Sequence, residues 1–434
     1  MSGKRIIYQV LTRLWGNGRL SAWDKESLDY LHTLGVDYIW FTGIPRHASG
    51  KAFVKGDPGS PYAITDWYDI NPYLADDPAS RMEEFQALVS RVHSAGLKCI
   101  IDFIPNHVAC DYNGRLARYN WCDGDWTDTL KLDWSNPATV DEFARVLRFW
   151  AGLGVDGFRC DMVELVPAYA LGRLMADIKA EFPGLLWIAE VYKRDNYRRY
   201  IRELGFDLLY DKSGVYDILR GVMDGSRSAR ELSWNWQYLG EIQDNMLNFL
   251  ENHDEQRIAS PFFAGGVERA WASIAYAMLF NSASWMFYAG EEVGEDAAGS
   301  SDGRTSIFDW CKPAGLAHLY AGIHGENSLE SKEQDTLARY RRLSTLSRSP
   351  LFRYGGVWDL CYCNQDTPGF DPDLNAAFVR YDGSEAMLVL CNFSSRVVST
   401  DIRIPQELKE IAAIDKSEAT LHAPAFGYSL LKCK

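Results

Sequence analysis

At 434 residues the chain exceeds one ordinary domain and suits a large barrel of about 250 residues with smaller attachments. Hydrophobic residues at 47% and charged residues at 24% give the profile of a soluble globular protein with a sizeable core. The formal charge of -14 argues against nucleic acid or an anionic membrane as partner, since both need basic patches, and leaves a neutral sugar open.

The chain begins MSGKRIIYQV, which runs into a strand at once without a long apolar leader segment. No stretch approaches the ~20 apolar residues that span a bilayer. A cytoplasmic location is expected, although a secreted chain whose signal peptide had been removed would read the same. The nine cysteines show no zinc-site spacing and read as free thiols of a reducing compartment.

Eight short apolar runs follow one another: 6–10, 36–41, 97–103, 155–161, 185–191, 206–210, 246–252 and 285–290. Amphipathic stretches fall between them, such as 77–96, opened by Asp and Pro, and 136–154; both reach a glycine at their end. Strands alternating with helices predict an α/β fold, a parallel (β/α)8 TIM barrel built from 1–106 and 135–351. Residues 107–134 form an aromatic, Asp- and Gly-bearing excursion, expected as a short B subdomain. After about 352 the texture becomes short alternating runs, which predicts a C-terminal antiparallel β domain, a sandwich, over 352–434.

GFRCDMVE at 157–164 places Arg159 and Asp161 in a run that a buried strand would fill with Val or Ile. Residues two apart in a strand point to one side, so both face one way and Cys160 the other. An adjacent arginine lowers a carboxylate's pKa and keeps it ionised, as a nucleophile requires. Alone, the pair reads better as a structural ion pair. The third run, however, ends with Asp102, Asn106 and His107, the fifth with Glu190, and the seventh with Asn252, His253 and Asp254. Polar groups at the C-terminal ends of four barrel strands converge on the face where barrel enzymes keep their chemistry. Asp161, with its own arginine, stays anionic. Glu190, after Trp187, Ile188 and Ala189, gains the raised pKa of a general acid.

These blocks resemble the α-amylase family of retaining glycoside hydrolases (glycoside hydrolase family 13). DFIPNH is similar to that family's third-strand motif, GFRCD to the fourth, AEV to the fifth and ENHD to the seventh, in the family's order. GVDYIWFTGIP, PYAITDWYDINP and YAGEEVG add to the match. The resemblance implies a hydrolase of α-1,4-glucosidic bonds in starch, glycogen or maltooligosaccharides, working through a covalent glycosyl-enzyme intermediate. Asp161 is then the nucleophile, Glu190 the acid and base, and Asp254 the group that holds the distorted sugar. Tyr62 would stack on that sugar, His107, Arg159 and His253 would bind it, and Asp66 would be structural. The chemistry calls for no cofactor. The resemblance also offers calcium, with Asn106 and Asp133 at two ligand positions.

The chain departs from the family where Lys-His often follows the nucleophile, since it has Glu164 and Leu165 there. Neither can reproduce those contacts to sugars on the leaving-group side. Trp67, Trp121 and Trp126 are the candidate sugar platforms, whereas His32, His47 and His93 read as surface or packed residues, and 341–348 as a solvated helix face. A transglycosylase would carry the same motifs, with acceptor subsites deciding between water and sugar. A non-catalytic carbohydrate-binding barrel is the third reading, against which the chain keeps all three carboxylates. Oligomeric state is not written in the sequence.

Overall fold

Side chains along the apolar runs alternate between two environments, as the period of a strand dictates. Ile7, Trp40, Ile100, Ile188, Tyr210 and Leu247 pack together in one cluster, the barrel interior. Their neighbours Tyr8, Ile101, Cys160 and Ala189 join a larger cluster shared with the surrounding helices. The computed structural model describes residues 3–434 and closes the eight runs into one parallel barrel. Its strands are β1 (Ile6–Leu11), β2 (Tyr38–Thr42), β3 (Lys98–Phe103), β4 (Gly157–Cys160), β5 (Leu186–Ala189), β6 (Leu208–Tyr210), β7 (Met246–Asn248) and β8 (Ser284–Tyr288). Each pairs with the next, and β8 closes on β1.

β4, β5 and β7 stop short of the ends of their apolar runs because the last residues of those runs leave the sheet as loops. β4 stops at Cys160, and Met162 lies in the left-handed region at φ 43°. A side chain there costs on the order of 1–3 kcal/mol of strain. Asp102 and Arg159 are register partners across β3 and β4. One inward layer at the C-terminal end of the barrel therefore carries both.

The helices start where the sequence signals them. Asp77 accepts a hydrogen bond from the backbone of Ala79, ahead of the helix Arg81–Ser94. Asn136 caps the helix Pro137–Gly152 in the same way, accepting from Ala138. After β3 the chain makes an antiparallel hairpin, His107–Ala109 against Thr129–Lys131, within the 107–134 excursion. The expected solvated face at 341–348 holds only in part. The helix Ser331–Arg348 buries Leu343, Ser344 and Ser347, and Arg348 stands 3.3 Å from Asp37, because successive residues of a helix face different sides.

The C-terminal region has a four-stranded antiparallel sheet ordered β9 (Gly356–Asp359), β10 (Asn375–Tyr381), β11 (Ala386–Asn392) and β14 (Tyr428–Lys432). Facing it are the ribbon β12 (Val398–Arg403) with β13 (Glu418–Ala423) and the helix Gln406–Ala412. Val379, Leu388, Ile402, Leu408 and Leu421 form their common core. Arg380 ties β10 to the barrel, donating to the carbonyls of Leu279 and Gly355 at 3.0 and 2.7 Å. Among the described residues no helix is long and apolar enough to cross a membrane, and all nine cysteines are free.

Candidate active site

Arg159 is fully buried and stands among carboxylates. Its Nη1 donates to Asp161 Oδ1 at 2.6 Å and lies 3.6 Å from Asp102 Oδ1. Its Nη2 is 3.1 Å from Glu190 Oε1, and Nε donates to the Tyr210 hydroxyl at 3.2 Å. The rings of Trp40 and Tyr62 flank the guanidinium at 5.2 and 5.5 Å. A lone buried charge costs several kcal/mol. Three carboxylates and two aromatic faces offset that cost here, so the arginine in the strand is explained by what surrounds it.

Each carboxylate sits in a different field. Burial pushes Asp161 above the ordinary carboxylate range, with Arg159 opposing and Asp254 adding to the rise. The lowering expected from its arginine is thus outweighed by desolvation. Burial raises Glu190 to about 7 against the pull of Arg159, and Asp161 and Asp254 raise it further. Glu190 Oε1 accepts from the Tyr192 hydroxyl at 2.6 Å, and Oε2 accepts from the backbone of Met162 at 2.8 Å. Asp254 is the open member, its side chain 40% exposed and 3.0 Å from His253 Nε2. Burial acts to raise Asp254 as well, but His253 and Arg159 outweigh it and hold it low.

His253 is fixed from both edges. Gln9 Nε2 reaches its Nδ1 at 2.6 Å, and the Tyr62 hydroxyl meets Nε2 at 2.6 Å. With Gln9 donating, Nε2 carries the hydrogen that faces Tyr62 and Asp254. Tyr62 lies nearly parallel to His253 at 5.2 Å and donates to Asp102 at 3.3 Å, so its hydroxyl is already committed. Trp40 Nε1 donates to the other oxygen of Asp102 at 3.0 Å. His107 is buried, and desolvation lowers it to about 4, which leaves it neutral beside Trp126 at 5.3 Å.

Sequence reasoning reached Arg159, Asp161, Glu190, His253, Asp254 and Tyr62, and these come together. It missed Gln9, Trp40, Tyr192 and Tyr210. A glutamine inside the run IIYQV was the one signal that could have found the first. Trp67 is corrected: it is buried against Phe103 and Phe143, because it lies on the inward side of the strand Ile64–Ile70. Trp121 is 47% exposed and stacks on Tyr119 at 5.3 Å. Asp66 is exposed and accepts from the backbone of Tyr68, a turn bond. His32, His47 and His93 bond Ala95, Tyr73 and Asp156 respectively. Glu164 accepts from the backbones of Tyr192 and Lys193 at 2.8 and 3.1 Å and from Asn196 Nδ2 at 2.5 Å.

The residues present do not fit calcium. Asn106 Oδ1 accepts from Lys131 Nζ at 2.9 Å, and the same ammonium is 2.7 Å from Asp123. A cation supplied by the chain therefore already sits against Asn106. Asp133 turns instead to Ser135 and Tyr119, at 2.6 and 3.0 Å. Among the described residues no cluster of three His, Cys, Asp or Glu side chains is arranged to hold a metal ion. A cleft of about 850 Å³ opens from His253 and Asp254 along residues 295–314.

The family model "Alpha amylase, catalytic domain" matches residues 25–120. Over that segment the chain is similar to the α-amylase family. Among its relatives, trehalose-6-phosphate hydrolase of Escherichia coli is 29% identical over 67% of this chain and 65% of that protein. The rat amino acid transporter heavy chain SLC3A1 is 27% identical over 54% of this chain and 38% of its own. The chain thus spans less than two thirds of the length of these curated relatives. An α-amylase from Lactobacillus plantarum has the same fold, with a TM-score of 0.73 at 21% identity, covering 99% of this chain and 98% of that one. In this barrel Arg159 lies in β4, and Asp161, Glu190 and Asp254 lie in the segments that follow β4, β5 and β7.

Proposed function

We propose that the protein is a retaining α-glycoside hydrolase acting on α-1,4-glucosidic bonds of starch, glycogen or maltooligosaccharides. One observation carries the reading: a single buried guanidinium, Arg159, donates to Asp161 and stands 3.1 Å from Glu190, which burial raises to about 7. Two carboxylates with different proton affinities are what the double displacement requires. Asp161 attacks the anomeric carbon as the bond to the glycosidic oxygen breaks, and that oxygen takes the proton of Glu190. The Glu190 carboxylate then removes a proton from water, whose oxygen displaces Asp161 and restores both groups. Asp254 and His253 hold hydroxyls of the sugar, and Tyr62, braced on His253, closes one side. No cofactor enters these steps.

Incubation with maltooligosaccharides of two to seven units, starch and trehalose 6-phosphate tests this reading. Shorter maltooligosaccharides released first as the α-anomer support it; products longer than the input would make the protein a transglycosylase with the same intermediate. A barrel serving only as a scaffold has no use for three clustered carboxylates around one buried arginine. Complete inertness on every α-glucoside, aryl glucosides included, would nevertheless establish that role.

A further inference from the structure

Glu164 and Tyr192 belong to different loops, yet they form one arm that ends on Glu190. Glu164 lies three residues beyond Asp161, in the short turn Val163–Leu165. Its carboxylate accepts three hydrogen bonds from the segment that follows β5, namely Tyr192 N, Lys193 N and Asn196 Nδ2. That clamp fixes the backbone of Tyr192, which is 36% exposed and so faces the open side of the site. Its hydroxyl nevertheless reaches back to Glu190 Oε1 at 2.6 Å. Burial and the negative charge of Glu190 raise Tyr192 far above its ordinary value, so the phenol keeps its hydrogen and donates it.

We propose that Tyr192 is a positioning residue for Glu190, held in place by Glu164, and that the pair sets the proton affinity and aim of the acid. The inference rests on the reading of Glu190 as the acid. The groups facing Glu190 are Arg159 from β4, Asp161 beyond it, Asp254 beyond β7 and Tyr192 itself. The Met162 backbone also donates to Glu190, but Tyr192 is the uncharged donor that a side-chain substitution removes, without altering the charge of the cluster. A donor to the ionised carboxylate favours that form. Removing the hydroxyl therefore raises the affinity of Glu190 for its proton, and the acid stays competent to higher pH.

The test compares wild type, Tyr192→Phe, Glu164→Ala and the double variant in full pH profiles of kcat/KM on an aryl α-maltoside. The titration of Glu190 is read in parallel by carbon NMR of glutamate-labelled protein against Glu190→Gln, without substrate. The expected result is an upward displacement of the alkaline limb and of the Glu190 titration by about half a unit to one unit in Tyr192→Phe. Glu164→Ala should give a displacement in the same direction, and the double variant no more than Tyr192→Phe alone. Unmoved titration in Tyr192→Phe, or displacements that add, would overturn the inference. The NMR reading stands even if wild type hydrolyses nothing, an outcome that would remove the proposed function and not this contact.

Discussion

Lys131 stands 2.9 Å from Asn106, its ammonium shared with Asp123 at 2.7 Å. The contact follows from the hairpin register, in which His107 is paired with Lys131 across the strands. Loss of the ammonium leaves Asp123 without its cation and Asn106 without a donor. Lys131→Met should cost about 1–3 kcal/mol, the ordinary range for a partly buried polar group stripped of its partner. A chelator should leave the melting temperature of wild type unchanged. Calorimetry with and without chelator reads both, and a chelator-dependent drop would mean that a metal holds this loop after all.

A second set of carboxylates behind the site makes stability depend on pH. Glu251, Glu291 and Glu292 are all buried. Glu292 accepts from Tyr8 and Tyr30 at 2.7 and 2.9 Å, and Glu291 from Tyr340 at 2.8 Å. Among the described residues, Arg257 pairs with this cluster, 3.5 Å from Glu251. Burial raises Glu251 to about 8, with Glu295 adding to the rise, and raises Glu291 well above the usual range, with Glu251 adding to it. The folded form then binds more protons than the unfolded one, so stability is full below the unfolded value and is lost as pH rises through the folded one. Denaturant titrations should give a lower unfolding free energy at pH 9 than at pH 6, and Glu251→Gln should flatten the difference. A wild type more stable at pH 9 would contradict the protonated cluster.

Arg159 is the group whose removal the fold should feel most. Arg159→Met leaves Asp102, Asp161 and Glu190 facing one another without their cation. Breaking a buried pair from one side typically costs about 3–5 kcal/mol. The loss should shrink at pH 5, where Asp161 and Glu190 take up protons more readily, both being raised already in the wild type. Urea unfolding at pH 5 and pH 7.5 checks the sign; equal losses at both would mean that packing, not charge, is what the arginine supplies.

How far the sequence could carry this picture depended on the range of each contact. Eight barrel strands and the inward pair Arg159 and Asp161 follow from local alternation, and the strand β4 bears that out residue by residue, with Cys160 in the outer cluster. The polar ends of β3, β5 and β7 were legible because a barrel brings all strand ends to one rim. Tyr192 was not, because its aim depends on Glu164, 28 residues earlier, closing on its backbone. Lys131 was hidden for a similar reason, since only the cross-strand register brings it to Asn106. Trp67 was misjudged because its segment forms a strand with a buried side, where an aromatic-rich loop was expected.

The division of labour proposed for Asp161 and Glu190 can be read from two variants. Asp161→Asn keeps the size of the side chain and removes its nucleophilicity, so kcat should fall by roughly a thousandfold or more with the fold intact. Glu190→Gln removes a proton donor, a loss felt only where the leaving oxygen needs protonation. Its kcat on maltooligosaccharides should therefore collapse, while an α-glucosyl fluoride, whose leaving group needs little help, should be spared in the first step. The alkaline limb of wild-type kcat/KM should lie near pH 7, where Glu190 gives up its proton. Equal losses on fluoride and maltooligosaccharide, or a tenth of the activity surviving in Asp161→Asn, would exchange or dissolve the assigned roles.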